Sequence, residues 1–242
     1  RRGEAAKAAE LGLAALQDKS EDIELRQVTG RALVDSAQYA AALAHLEKVV
    51  ALDLNHSWQS AWALGYAGYA HYGLGDPDKA RKVLEDSLAF RSTRNAVSFA
   101  QRAQMLLGFS GSYSNWTAQE TTHFRFHFSP ATPPSGQAGF AARHEAAYEV
   151  IDRFFQAKLP KKIDFFVWGT SQEAETAGLG VLGFARPELC IVHSHWRQTV
   201  GHEMTHVISR QALKPVKVTG LINECVAVYF DQTGRDREQT AR

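Results

Sequence analysis

Residues 122–129 read Thr-His-Phe-Arg-Phe-His-Phe-Ser, with phenylalanine at every second position from 124 to 128. Successive side chains of a strand point to opposite faces of a sheet, so this alternation predicts a strand with one buried apolar face. The other face carries Arg125 between His123 and His127, and we expect both histidines to be solvated. This strand marks a change of pattern, because the residues before it show only helical spacing.

Six segments upstream of this strand carry apolar residues at helical spacing, and their connections are short. We predict helices over residues 3–17, 21–34, 39–54, 58–74, 78–90 and 95–107. Segment 39–46 is echoed about 38 residues later by segment 77–84, since each has an alanine four residues before a leucine. This pattern resembles tetratricopeptide repeats, whose small residues let paired helices pack closely. A generic array of helical hairpins is the alternative, and in either array the aromatic residues of segment 58–74 are expected in the core.

Downstream of the strand, helical and extended segments alternate. We predict a helix over 138–157, a strand over 163–168, a short helix over 172–177, a strand over 189–194 and two final helices. A polar, linker-like run at residues 110–115 precedes this part. The sequence thus predicts an α+β protein, with an α-helical repeat domain at residues 1–109 and a second domain with a mixed sheet at residues 112–242.

Composition argues against several classes of protein. The 242 residues carry a formal net charge of +1, which argues against binding nucleic acid through bulk positive charge. No apolar run approaches the roughly 18 residues of a membrane span, so we expect none. The two cysteines are too few for a disulfide framework, and whether Cys190 and Cys225 pair stays open. The chain begins Arg1-Arg2-Gly3 without methionine, which favours a processed piece.

The motif His202-Glu203-Met204-Thr205-His206 carries the clearest chemistry. In a helix, predicted here over residues 197–211, side chains four apart differ by about 40° around the axis, so both imidazoles can reach one ion. Glu203 lies about 100° from His202, beside the ion, where a base is needed. The apolar stripe on nearly the opposite side consists of Val200, Met204, Val207 and Ile208. We therefore predict a helix that buries one face and turns both histidines towards a cleft.

The next apolar segment contains a third candidate ligand. Residues 220–230 are predicted as a helix that is apolar almost all round except for Glu224. An ionised glutamate is rarely buried without a partner, because its desolvation is costly. A zinc ion held by two imidazoles is such a partner. Glu224 would complete a set of two histidines and one glutamate with an open fourth position, which is the arrangement of catalytic zinc.

An HExxH motif followed, after 17 residues, by the glutamate of an NExxAxYF segment resembles the gluzincin zinc metallopeptidases, relatives of thermolysin and of zinc aminopeptidases. The resemblance covers residues 116–232, and its specific part is 183–231. It implies a small thermolysin-like domain with zinc ligands at His202, His206 and Glu224 and with Glu203 as the general base. It also implies a substrate held in extended form, and we expect the strand at 189–194 to be its pairing partner.

Three features depart from the pattern of these peptidases. Cys225 stands where many relatives have glycine, and Val228 stands where thermolysin-like enzymes place an acid that orients a ligand histidine. We expect the orienting group to be Asn223, Asp231 or a backbone carbonyl instead. Relatives often place a tyrosine or histidine that stabilises the oxyanion well downstream, and only 11 residues follow Asp231 here.

Three further side chains are weaker candidates for substrate contact. His193 and His195 lie on or just after the strand that precedes the motif helix, where they could contact substrate or a developing oxyanion. Tyr229 lies about 140° round its helix from Glu224, which favours a structural role over catalysis.

Two functions stay open from the sequence. In the first, the protein is a zinc-dependent peptidase in which Glu203 deprotonates zinc-activated water, while the helical repeats recruit or orient a protein partner. In the second, it is a helical-repeat interaction protein whose metal-binding, peptidase-like domain is catalytically silent. A purely structural zinc site is disfavoured, because such sites usually have four protein ligands. The resemblance favours a periplasmic or secreted location, although the sequence itself leaves the compartment open.

Overall fold

The computed structural model describes residues 2–90, 93–179, 183–215 and 219–232. These residues form ten α-helices and one five-stranded mixed sheet, which confirms the predicted α+β class. The chain divides into two compact units, Arg1–Ser110 and Gly111–Arg242. Among the described residues, no helix combines the length and the apolar character that crossing a membrane requires.

The first unit is entirely helical. Its helices are α1 (Arg2–Ala15), α2 (Ile23–Asp35), α3 (Tyr39–Leu52), α4 (Trp58–Gly73), α5 (Pro77–Ala89) and α6 (Arg94–Leu106). Four of them begin at a side chain that accepts a hydrogen bond from a backbone N–H of the first turn, which satisfies a donor that the helix itself leaves unpaired. These capping residues are Asp22, Ser57, Asp76 and Thr93.

Successive helices of this unit pack against each other, and α4 also packs against both α2 and α6. The alanines and leucines of the internal echo, at positions 42, 46, 80 and 84, are fully buried. Among the aromatic residues of α4, Tyr66 and Tyr72 are buried as expected, whereas Trp62 and Tyr69 are only partly buried. The ring of Phe99 on α6 lies 4.6 Å from Tyr66 and 4.9 Å from Trp62, between ring centroids.

The second unit is built on the sheet, whose strands follow the order β1-β2-β3-β5-β4. The strands are β1 (Thr117–Glu120), β2 (Phe124–Phe128), β3 (Ile163–Trp168), β4 (Phe184–Arg186) and β5 (Ile191–His195). The helices are α7 (Pro134–Phe155), α8 (Ser171–Thr176), α9 (His202–Leu213) and α10 (Gly220–Phe230). The strands β2, β3 and β5 are parallel, and the edge strands β1 and β4 are antiparallel to their neighbours.

One face of the sheet packs against α7 and α9 in a single apolar core. The phenylalanines at 124, 126 and 128 are fully buried in this core, as the alternation predicted. Both cysteines are free thiols, Cys190 within this core and Cys225 exposed on α10.

The expectation that His123 and His127 are solvated is wrong. His123 is hydrogen-bonded to Glu145 at 2.7 Å and stacks on Tyr148. His127 lies 3.3 Å from Asp164 and stacks on Phe166 at 4.4 Å between centroids. His123 packs against α7, which carries both Glu145 and Tyr148, whereas His127 lies on the second face of the sheet, which aromatic side chains cover as well. Residues 111–113 form a 3₁₀ turn there, so the segment read as a linker is part of the packing.

The buried His144 predicts a specific dependence of stability on pH. Its Nδ1 lies 2.9 Å from the carbonyl oxygen of Phe140, and burial lowers its pKa to about 4. An unfolded histidine titrates near pH 6.5, so only the unfolded chain gains this proton between about pH 6.5 and pH 4. Stability should therefore fall as the pH decreases through this window, by about 2–3 kcal/mol from this group at pH ~4.5.

Urea unfolding of the wild type and of His144→Phe at about pH 7 and pH 4.5 measures this contribution. The variant lacks the group, and phenylalanine suits the surrounding rings of Phe124, Phe140 and Phe165. Its free energy of unfolding should decrease less on acidification than that of the wild type. Parallel decreases in the two proteins would contradict the assignment.

Candidate metal centre

Three side chains converge where α9 faces α10. The ligand atoms of His202, His206 and Glu224 all lie within 4.8 Å of one another. Nε2 of His202 is 3.3 Å from Oε2 of Glu224, and Nε2 of His206 is 3.6 Å from Oε1. Ligands of a tetrahedral zinc ion at about 2.0–2.1 Å are themselves separated by about 3.3 Å. The three side chains are therefore close enough to hold one metal ion and offer donor types that zinc accepts, and the described residues contain no second group of this kind.

The start of α9 fixes both histidines on one face. His202 is the first helical residue, and Met204, Val207 and Ile208 are buried in the core, as the predicted stripe requires. The rings of His202 and His206 meet edge to face at 5.1 Å between centroids. One turn of helix thus presents both imidazoles on the side away from the core.

The end of α10 is fastened to the residues just before His202. Gly201 has a φ of +100°, and a Cβ atom there would lie 2.8 Å from the carbonyl oxygen of Phe230. Only glycine suits both the positive φ and this close approach. The backbone N–H of Gln232 also donates to the carbonyl of Val200 at 2.8 Å. These contacts hold α10 against the start of α9, which keeps Glu224 opposite the histidines.

The prediction that Glu224 is buried within an apolar helix is wrong. Its side chain is 59% exposed, and Leu221, Ile222 and Tyr229 on the same helix are exposed as well. In the described residues α10 packs mainly against α9, and Ala227 is its buried residue. An exposed carboxylate needs no partner to ionise. The case for Glu224 as a ligand therefore rests on its distances to the histidines.

Glu203 lies beside the three ligands but does not belong to their group. The residue is only 6% exposed. Burial, and then the negative charge of Glu224, raise the pKa of its carboxyl to about 7.

Asn223 contacts the second ring nitrogen of His206. Its Nδ2 atom lies 2.8 Å from Nδ1, so the two side chains are within hydrogen-bonding distance. A half-turn of the amide places Oδ1 there, where it accepts Nδ1–H and leaves the Nε2 lone pair available to a metal. Burial is also the largest influence on the pKa of His206 and lowers it, which favours the neutral imidazole that metals bind. Asn223, one of the orienting groups expected, thus contacts a ligand histidine.

The three weaker candidates differ in their surroundings. His193 is 2% exposed, stacks on Phe166 and Phe184, and accepts a hydrogen bond from Nε1 of Trp168 at 3.2 Å. In the structure this side chain is enclosed by aromatic rings, and its contact with a substrate stays a prediction. His195 ends β5, where its Nδ1 accepts a hydrogen bond from the backbone N–H of Arg197. Tyr229 is 69% exposed and lies on α10, five residues after Glu224.

The expectation that the strand at 189–194 pairs with an extended substrate is wrong. β5 is bonded to β3 on one side and to β4 on the other, so it has no free edge. β4 is the edge strand of the described sheet at this end, and it packs against α9. Its three residues are too few to show an alternating pattern, so β4 is hard to recognise from the sequence.

Comparisons of this chain with protein-family models, with curated proteins and with solved structures found no match. Function is therefore inferred from the geometry and the chemistry of the site itself.

Proposed function

We propose that the second unit is a zinc-dependent peptidase domain of the gluzincin type. The observation that carries the proposal is the convergence of His202, His206 and Glu224 beside a buried carboxyl, Glu203, that is not one of the ligands. Catalytic zinc sites typically have three protein ligands and an open position, whereas structural sites have four. A base next to a three-ligand site is the arrangement that hydrolysis requires.

Each residue then has a defined task. Zinc held by the three ligands would supply a Lewis acid that polarises the scissile carbonyl and acidifies the attacking water. Glu203 accepts a proton from that water as the oxygen adds to the carbonyl carbon, and it returns the proton to the amine nitrogen as the C–N bond breaks. The products are a carboxylic acid and an amine. Asn223 holds the ring of His206 in place.

The edge of β4 is the proposed place for the peptide. An extended peptide can add to a free sheet edge through main-chain hydrogen bonds, which give affinity with little dependence on sequence. Because β4 packs against α9, a peptide on this edge would run past the helix that carries Glu203.

We infer further that the first unit is a tetratricopeptide-like array that recruits or orients a protein partner. Three features support this: consecutive helices pack in sequence, α4 packs against the two helices that are its next-but-one neighbours, and the echoed alanines and leucines are all buried. Such arrays stack helix pairs so that each repeat contacts its neighbours, and they present extended surfaces for partners.

Metal removal tests the peptidase proposal on the full chain. Elemental analysis should find about one zinc per chain. The zinc-loaded protein should cleave members of a quenched fluorescent peptide library, lose this activity after treatment with a chelator, and regain it when zinc is restored. A chain without stoichiometric zinc would reject the metal centre. A zinc-loaded chain that cleaves nothing would reject the peptidase and favour the silent interaction protein.

A further inference from the structure

Gly183, the residue before β4, lies directly against the side chain of Glu203. A Cβ atom built on Gly183 would be 2.6 Å from Oε1, 2.8 Å from Cγ and 2.9 Å from Cδ of Glu203. Non-bonded carbon atoms favour separations of about 3.5–4.0 Å. The side chain of Glu203 therefore occupies the space that the first side-chain carbon of any other residue would need.

Glycine is favoured at position 183 by the space that the Glu203 side chain occupies, and not by the backbone conformation. The φ of Gly183 lies outside the left-handed region, so its backbone conformation is open to other residues. Gly201 differs in this respect, since its φ alone favours glycine. A side chain at Gly183 would require the side chain of Glu203 to move.

We propose that Gly183 is a positioning residue for the general base. Its lack of a side chain lets the Glu203 carboxyl rest against the backbone that leads into the edge strand β4. The base and a peptide added to this edge are then held by the same short piece of backbone. This inference rests on the proposed peptidase function, because it assigns Glu203 the task of moving a proton at the scissile bond.

The distance between base and substrate makes such positioning important. A general base must come within about 2.6–3.2 Å of the atom whose proton it takes. A displacement of about 1 Å can lower the rate by about 10²-fold. All three of the nearest atoms to a Cβ at Gly183 belong to Glu203, and none belongs to a metal ligand. A substitution here should therefore move the base and leave the ligands in place.

The variant Gly183→Ala tests this directly. In the zinc-loaded chain, kcat for a quenched peptide that the wild type cleaves should fall by about 10²-fold, with zinc content and KM unchanged. Gly111→Ala is the matched control, because a Cβ atom there meets nothing within 4 Å. Equal kcat values for the two variants would overturn the proposal.

Thermal stability can be measured without any catalytic activity, so it tests the contact between Gly183 and Glu203 separately from the peptidase proposal. In chelator-treated protein, Gly183→Ala should lower the Tm of the second unit by about 3–6 °C, because it overpacks the contact. The decrease should vanish in the Glu203→Ala background, where the space is free. A decrease that persists there, or no decrease in either background, would overturn the contact. A chain that cleaves no peptide yet shows the coupling would reject the peptidase alone.

Discussion

A zinc-loaded Glu203→Gln variant should keep its metal and lose peptide hydrolysis by about 10³-fold or more. Glutamine has nearly the shape of glutamate but cannot accept the proton of the attacking water, and general bases contribute about 10²–10⁴-fold to rates. Zinc content should not change, because Glu203 is not one of the three converging ligands. The measurements are kcat on a quenched peptide and zinc content of the same sample.

Glu149→Gln is a suitable control for this variant. It makes the same chemical change at an exposed position of α7. The control should cleave peptide at the rate of the wild type. Unchanged turnover in zinc-loaded Glu203→Gln would show that another group takes the proton.

The helices of the first unit could be predicted because their signals are local. Apolar spacing within one segment, a capping side chain such as Asp22 or Thr93, and proline at the first position of α5 all act within a few residues of the helix they define. The same holds for the strand β3, whose run of apolar residues, interrupted only by Asp164, predicted Ile163–Trp168 to the residue. No distant contact is needed to recognise these elements.

The sheet edges could not be predicted in this way. The strand β1 reads Thr-Ala-Gln-Glu, without an apolar alternation, and β4 has only three residues. Both form because a neighbouring strand supplies backbone hydrogen-bond partners, and the sequence of either segment alone does not reveal such pairing. The order of the strands follows from the same pairing, and it places β5 between β3 and β4.

In the candidate site, too, the features that depend on one helix could be predicted, and those that depend on packing between segments could not. His202, Glu203 and His206 lie on one turn of one helix, so their mutual geometry follows from the helix itself. Burial does not follow from one segment. His193 is enclosed by rings from adjacent strands, and Glu224 is exposed because α10 is covered on so little of its surface by described residues. The contact between Gly183 and Glu203 likewise arises only when β4 packs on α9.

The variant His206→Ala should lower the zinc content of the purified chain from about one ion to none. Two ligands would remain, of which Glu224 is exposed and held only through α10, so the chelate is lost. His195→Ala is the matched control, since it removes a histidine outside the three-ligand group and should retain the metal. Elemental analysis after gel filtration measures the zinc, and far-UV circular dichroism should show that the helices persist. Full zinc content in His206→Ala, or its loss in His195→Ala, would place the ion elsewhere in the chain.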